Sequence, residues 1–154
     1  MNNAQDAQKS IDAYYQKLIQ VAQQAMVEGM REYEAYEIKT EMSGRPGLKR
    51  QSGALAGSWH VETEGEGLNY TAKLSNSKST FYAVTHQEGM TIRPKNGPYL
   101  HYKLPDGSFR KSKEVTIPKR LNFTENFATV GKEMVMKQLR KAVSEIHKET
   151  GTPA

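Results

Sequence analysis

Apolar residues at Ile11, Tyr14, Tyr15, Leu18, Ala22, Ala25, Met26, Met30 and Tyr33 recur at steps of three and four along the first 40 residues, the spacing that gathers them on one helical face. The positions between them are mostly Gln, Glu and Lys, all good helix formers, and no proline occurs before Pro46. The pattern predicts a helix over about 5–40, roughly 50 Å long at ~1.5 Å per residue. That exceeds the width of a domain this small, so part of the helix is expected to project or to pack on another subunit. Gly29 is the expected point of any bend.

Ser43-Gly44-Arg45-Pro46-Gly47 then breaks the helix and opens a loop that carries Arg45, Lys49 and Arg50. Beyond it the period changes to two. Ser58 to Glu64 alternates, Gly65-Glu66-Gly67 reads as a turn, and Leu68 to Ser75 alternates again, which predicts a β-hairpin. Trp59, Val61 and Thr63 share one face; His60, in the opposite phase, is expected to face solvent. A second turn at Asn76-Ser77-Lys78-Ser79 leads to Phe81-Tyr82-Ala83-Val84. A strand over 99–104, a turn with Asp106-Gly107 at its centre, and a return path over 109–117 follow, and Pro118 ends them.

The period of 3.6 returns with Phe123, Phe127, Val130, Met134, Val135, Leu139, Ala142, Val143 and Ile146, a second amphipathic helix over 122–149. Asn122 or Thr124 can cap it, Asn122 and Glu125 having the offset of a capping box, and Gly151 and Pro153 terminate it. The order predicts an α+β domain: a long N-terminal helix, an antiparallel β-sheet of about four strands within 57–118 with a protruding loop, and a C-terminal helix packed on the sheet.

At 154 residues the chain is the size of one domain, 1–154. Its hydrophobic share of 36% and mean hydropathy of −0.76 are low for a compact monomer, which points to apolar cover supplied by a partner chain. The absence of cysteine excludes disulfides, thiolate metal sites and a cysteine nucleophile. Without an apolar leader-like segment or a long apolar run, a soluble protein made in the cytoplasm, away from membrane, is expected. Charge is uneven: four basic residues stand against seven acidic ones over 1–41, and eight against two over 93–120. Such asymmetry fits a nucleic-acid partner, or one surface of a subunit meeting the opposite surface of its neighbour.

Candidate chemistry concentrates in Thr85 to Tyr102. His86, Glu88 and His101 are metal-ligand types, but they lack the spacing of a metal motif, and the histidines are read as solvent-edge residues. No nucleophile with a base and an orienting group is legible, and Gly44-Arg45-Pro46-Gly47 lacks the lysine and hydroxyl of a phosphate-binding loop. The chain is therefore not read as an enzyme. A small basic nucleic-acid-binding domain is the alternative, with Tyr99, Tyr102 and Phe109 interleaved among the cations, although strand aromatics usually belong to the core. Two prolines flank Asn96-Gly97, so Arg93, Pro94, Lys95, Asn96 and Gly97 form a bent, basic loop, which with Arg110 and Lys111 is the candidate subunit or partner contact.

Four segments resemble one family. Ser52 to Trp59 resembles the "TGxLxxSW" entry to the first strand of phage virion-morphogenesis or tail-completion proteins, Tyr82 to Gly89 their "YAxxHQxG", Gly89 to Leu100 the "GxxIxPKNGxxL" of Mu-like members, and Val115 to Arg120 their "VxIPxR". The resemblance covers about 50–146; Glu88 stands where an aromatic is usual, and Leu121-Asn122-Phe123 replaces a Pro-Phe-Leu. The resemblance, which extends to lambdoid minor tail proteins, implies a non-catalytic, cofactor-free virion protein of the head-tail junction or proximal tail end. It implies a ring of six subunits around the DNA channel, contacts with other neck, tail-terminator or tail-tube proteins, and DNA passing without sequence-specific binding. Leu55, Ser58, Trp59, Tyr82, Ala83, His86, Gly89 and Pro118 are then structural residues of the family motifs. In a ring the contacts are heterologous, so an acidic helical face over 1–41 and the basic segment 93–120 of the next subunit are expected to pair.

Overall fold

The computed structural model describes residues 3–42, 44, 53, 55–77, 80–104 and 106–150. Helix α1, Asn3–Glu41, runs without interruption through Gly29. Strands β1, Trp59–Glu64, and β2, Thr71–Asn76, follow, then helix α2, Thr80–Glu88, and strand β3, Met90–Ile92. Strands β4, Leu100–Lys103, β5, Phe109–Ser112, and β6, Val115–Ile117, lead to helix α3, Phe123–Asn126. One π-helical turn, Phe127–Gly131, joins α3 to helix α4, Lys132–Thr150. The predicted breaker apart from Gly44, the basic loop residues Arg45, Lys49 and Arg50, and the terminators Gly151 and Pro153 lie outside the described residues.

The α+β class and its order hold, with a different arrangement of strands. Among the described residues six strands form three antiparallel pairs, β1–β2, β3–β6 and β4–β5, in place of one sheet of about four. In β1–β2, Val61 faces Leu74 and Thr63 faces Ala72, so the predicted alternation places these side chains on one side. Leu68 is not part of that strand: a single 3-10 turn, Gly67–Asn69, carries it into solvent.

Residues 80–88, inside the region expected to be sheet, are helical. Phe81 to Thr85 has a strand-like composition, but the segment is held by its ends. Gly89 N–H bonds the Thr85 carbonyl at 2.9 Å, and the His86 carbonyl accepts N–H groups from Arg120 at 2.7 Å and Leu121 at 3.0 Å. Gly89 itself has φ +78°, and a side chain there would press on the Lys119 amide nitrogen and Ile117 carbonyl.

The C-terminal helix packs chiefly on α1, not on a sheet. The two run antiparallel, with Lys17 paired to Glu149 at one end and Asn126 donating to Glu41 at 2.9 Å at the other. Gly29 faces Val135 where they meet, and the buried Gly131 faces Tyr33, so each helix offers the other a position without a side chain. Gly29 is thus a contact point where a bend was expected. Tyr33 sits edge-on to Phe127 at 5.3 Å and donates its hydroxyl proton to the Phe123 carbonyl. The expected cap at Asn122 is not made by its side chain; Glu125 pairs with Lys119 instead. Below this junction Met42, Ala56, Leu121 and Phe123 form the core, with Trp59 edge-on to Phe123 at 4.3 Å.

Candidate interaction surface

Strands β4 and β5 form a two-stranded ribbon whose principal contacts are with each other. The turn between them is closed by Asp106, whose Oδ1 accepts from the Ser108 amide at 2.9 Å and its hydroxyl at 2.7 Å; these bonds hold the Asp106 carboxyl below the usual range. Register puts Lys103 opposite Phe109, His101 opposite Lys111, and Tyr102 opposite Arg110. Because cross-strand partners share a face, His101, Lys103, Phe109 and Lys111 point one way, and Tyr102 and Arg110 the other. Tyr99 joins the first set: Lys111 Nζ lies 5.3 Å from its ring centre, and Lys103 Nζ lies 5.9 Å from that of Phe109. Phe109 is 75% exposed and Tyr99 39%, so the aromatics expected in the core are on the surface.

Of the predicted contact loop, Arg93, Lys95, Asn96 and Gly97 are exposed and Pro94 is half-buried. Gly97 has φ +127°, which supplies the bend. Arg93 Nε is 3.2 Å from Glu114 Oε2, so this cation staples the exit of β3 to the entry of β6. Among the described residues Lys95, Lys103, Arg110, Lys111 and Lys113 have no carboxylate within ion-pair distance, Lys103 and Lys111 on one face of the ribbon and Arg110 on the other. Arg110 and Lys111 lie on the ribbon and the loop residues at its base.

Most of the described family-motif positions are buried or half-buried instead. Ser58 and Ala83 are buried, Leu55 and Trp59 half-buried, and His86 is buried at the end of α2. Tyr82 falls in α2, its side chain outside the described residues. Ser58 accepts from Asn76 Nδ2 at 2.8 Å and donates to the Leu55 carbonyl at 2.7 Å, closing the base of β1–β2. Pro118 follows β6 and is exposed. His86, Glu88 and His101 are not gathered: the first is buried, the other two exposed, and among the described residues no cluster of three or more histidines and carboxylates could hold a metal ion. Burial, then the Arg120 charge, lowers the His86 pKa. The hydrogen bond from His60 Nε2 to the Glu62 carboxylate, 2.9 Å, raises that of His60.

Two features escaped sequence reasoning. Glu37, counted with the acidic helical face, is fully buried, and neither carboxylate oxygen has a well-formed hydrogen bond among the described residues. Burial raises its pKa, against the opposing influence of the nearby Asn126 and Tyr33. The second is an open, mostly apolar groove of about 330 Å³ lined by Met30, Tyr33, Trp59, Leu74, Phe123 and Phe127.

At the far end of the molecule the ion pair Lys17–Glu149 marks where α4 stops, and α1 continues through residues 3–16 for about 20 Å beyond it. Residues 3–13 are exposed throughout; Ile11 is 62% and Tyr15 47% exposed, with Tyr14 half-buried between them. No helix among the described residues is long and apolar enough to cross a membrane. Set against family models, curated proteins and solved structures, the chain matches none.

Proposed function

We propose that this protein is a structural subunit of a phage virion, assembling as a ring at the head-tail junction or proximal tail end, and that it carries no catalytic machinery. The observation that carries the reading is the overhang of α1. Its first four turns extend past the helix that covers the rest, with Ile11, Tyr14 and Tyr15 on one side. An isolated helical segment of that length is marginal in water and gains its stability from packing an apolar face. A neighbouring copy or neck protein is the cover this arrangement calls for. The loop Arg93–Gly97, bent by its glycine and anchored through Arg93, is a second preformed contact at the other end of the chain's charge asymmetry. Contacts between unlike surfaces of identical chains give a ring where the rotation between copies closes, and the four sequence segments that resemble tail-completion proteins favour six copies around DNA.

The test is genetic and biophysical. Portal, capsid and tail-tube genes are expected beside this reading frame, and deleting it is expected to leave filled heads and finished tails that do not join. Undiminished yields of infectious particles after the deletion would overturn the assignment. Mass photometry of the chain with its neighbouring neck proteins is expected to show a ring-sized species for wild type and its loss after Ile11→Ser with Tyr15→Ser.

A further inference from the structure

We infer that the β4–β5 ribbon binds nucleic acid with unpaired bases, through the face that carries Tyr99, His101, Lys103, Phe109 and Lys111. One ribbon of a single chain suffices for this binding, whether or not copies assemble. Three observations lead to it. Aromatic rings that a strand normally buries are here on the outside, Phe109 75% exposed. Each of two rings has a lysine ammonium over one face, Lys103 at Phe109 and Lys111 at Tyr99, which leaves the other face to a base. Neither lysine has a carboxylate within ion-pair distance among the described residues, nor do Lys95, Lys113 and, on the ribbon's other face, Arg110.

Every base has a π-face, so exposed rings take unpaired bases in succession without regard to sequence, while ammonium groups beside the rings take the phosphates between them. A duplex hides its base faces and offers the same ribbon only its backbone and groove edges. An acidic protein surface would satisfy the lysines and leave Phe109 and Tyr99 unused. The principal contacts of the two strands are with each other, so a nucleic-acid strand can lie along the ribbon without displacing another element.

The test is fluorescence anisotropy of the full chain with a labelled oligothymidine and with a labelled duplex of equal length, from 50 to 300 mM salt. Oligothymidine is expected to bind with a Kd below about 100 µM at low salt, and more tightly than the duplex. The slope of log affinity against log salt should be about −1.4 to −2.8, corresponding to two to four phosphates. Phe109→Ala is expected to weaken oligothymidine binding about 5- to 150-fold with the slope kept, and Phe109→Trp to retain binding. Lys103→Gln with Lys111→Gln should lower the slope. These positions are exposed, so circular dichroism should show the fold unchanged. Equal affinity for duplex, indifference to Phe109→Ala, displacement by polyglutamate as readily as by unlabelled oligothymidine, or no binding at 100 µM would each overturn the inference.

Discussion

A Cβ built on Gly29 would lie 2.5 Å from the Cα of Val135, so the two long helices meet there backbone to backbone. Backbone cannot rotate away as a side-chain tip does. Gly29→Ala should therefore separate α1 from α4 and cost about 1–3 kcal/mol, outweighing the ~1 kcal/mol that alanine gains over glycine in a helix. Gly131→Ala would meet the Tyr33 and Phe127 rings, which can shift, and should cost less. Urea denaturation of both variants checks the order; a stabilised Gly29→Ala would show that the helices are not in close contact.

Glu37 lies one turn beyond Tyr33, fully buried, with its pKa raised by that burial. A carboxyl whose folded-state pKa exceeds its unfolded value contributes stability that is fully present below about pH 4.5 and lost as pH rises through the folded value. Glu37→Gln keeps shape and removes the charge, so melting temperature at pH 7 to 8 should rise, while the two proteins should converge near pH 4. Equal melting temperatures at every pH would mean that Glu37 is solvated in the folded state.

The histidines offer a second pH test. His60 is held above 6.5 by its bond to Glu62, so its contribution is complete below that value and fades as pH rises. His86, pushed down by burial, contributes above 6.5 and loses that as pH falls. Because the signs oppose, a melting curve blurs them, whereas NMR titration of the ring protons resolves each one. His60 is expected to titrate at the higher pH and to move down in Glu62→Gln; the reverse order would contradict both placements.

The overhang of α1 predicts a separation of stability from assembly. Ile11 and Tyr15 touch little in the single chain, so Ile11→Ser and Tyr15→Ser should change unfolding free energy by no more than about 0.5 kcal/mol each. A larger loss in a monomeric sample would show that these side chains are covered by their own chain.

The candidate surface was legible in parts. Pro94, Asn96-Gly97 and Pro98 announced a bent loop, and the run of cations announced a basic patch, because both depend on residue type alone. That Tyr99 and Phe109 stand outside was not legible, since alternation in a two-stranded ribbon looks the same whether or not a third layer covers it. Glu37 is hidden for a related reason: its sequence neighbours Tyr36 and Ile38 do not reveal that Asn126 arrives beside it from the other end of the chain.

By itself the sequence determined the long first helix, the β1–β2 and β4–β5 hairpins and the last helix, all set by local periodicity and turn chemistry. Tertiary structure decided what no local rule contains. It made residues 80–88 helical through bonds from Arg120 and Leu121, divided the strands into three pairs, and set α4 against α1. The reason is physical: periodicity fixes which face of an element is apolar, but the surface that buries that face is chosen by shape, here by glycines at positions 29 and 131 that let two helices approach.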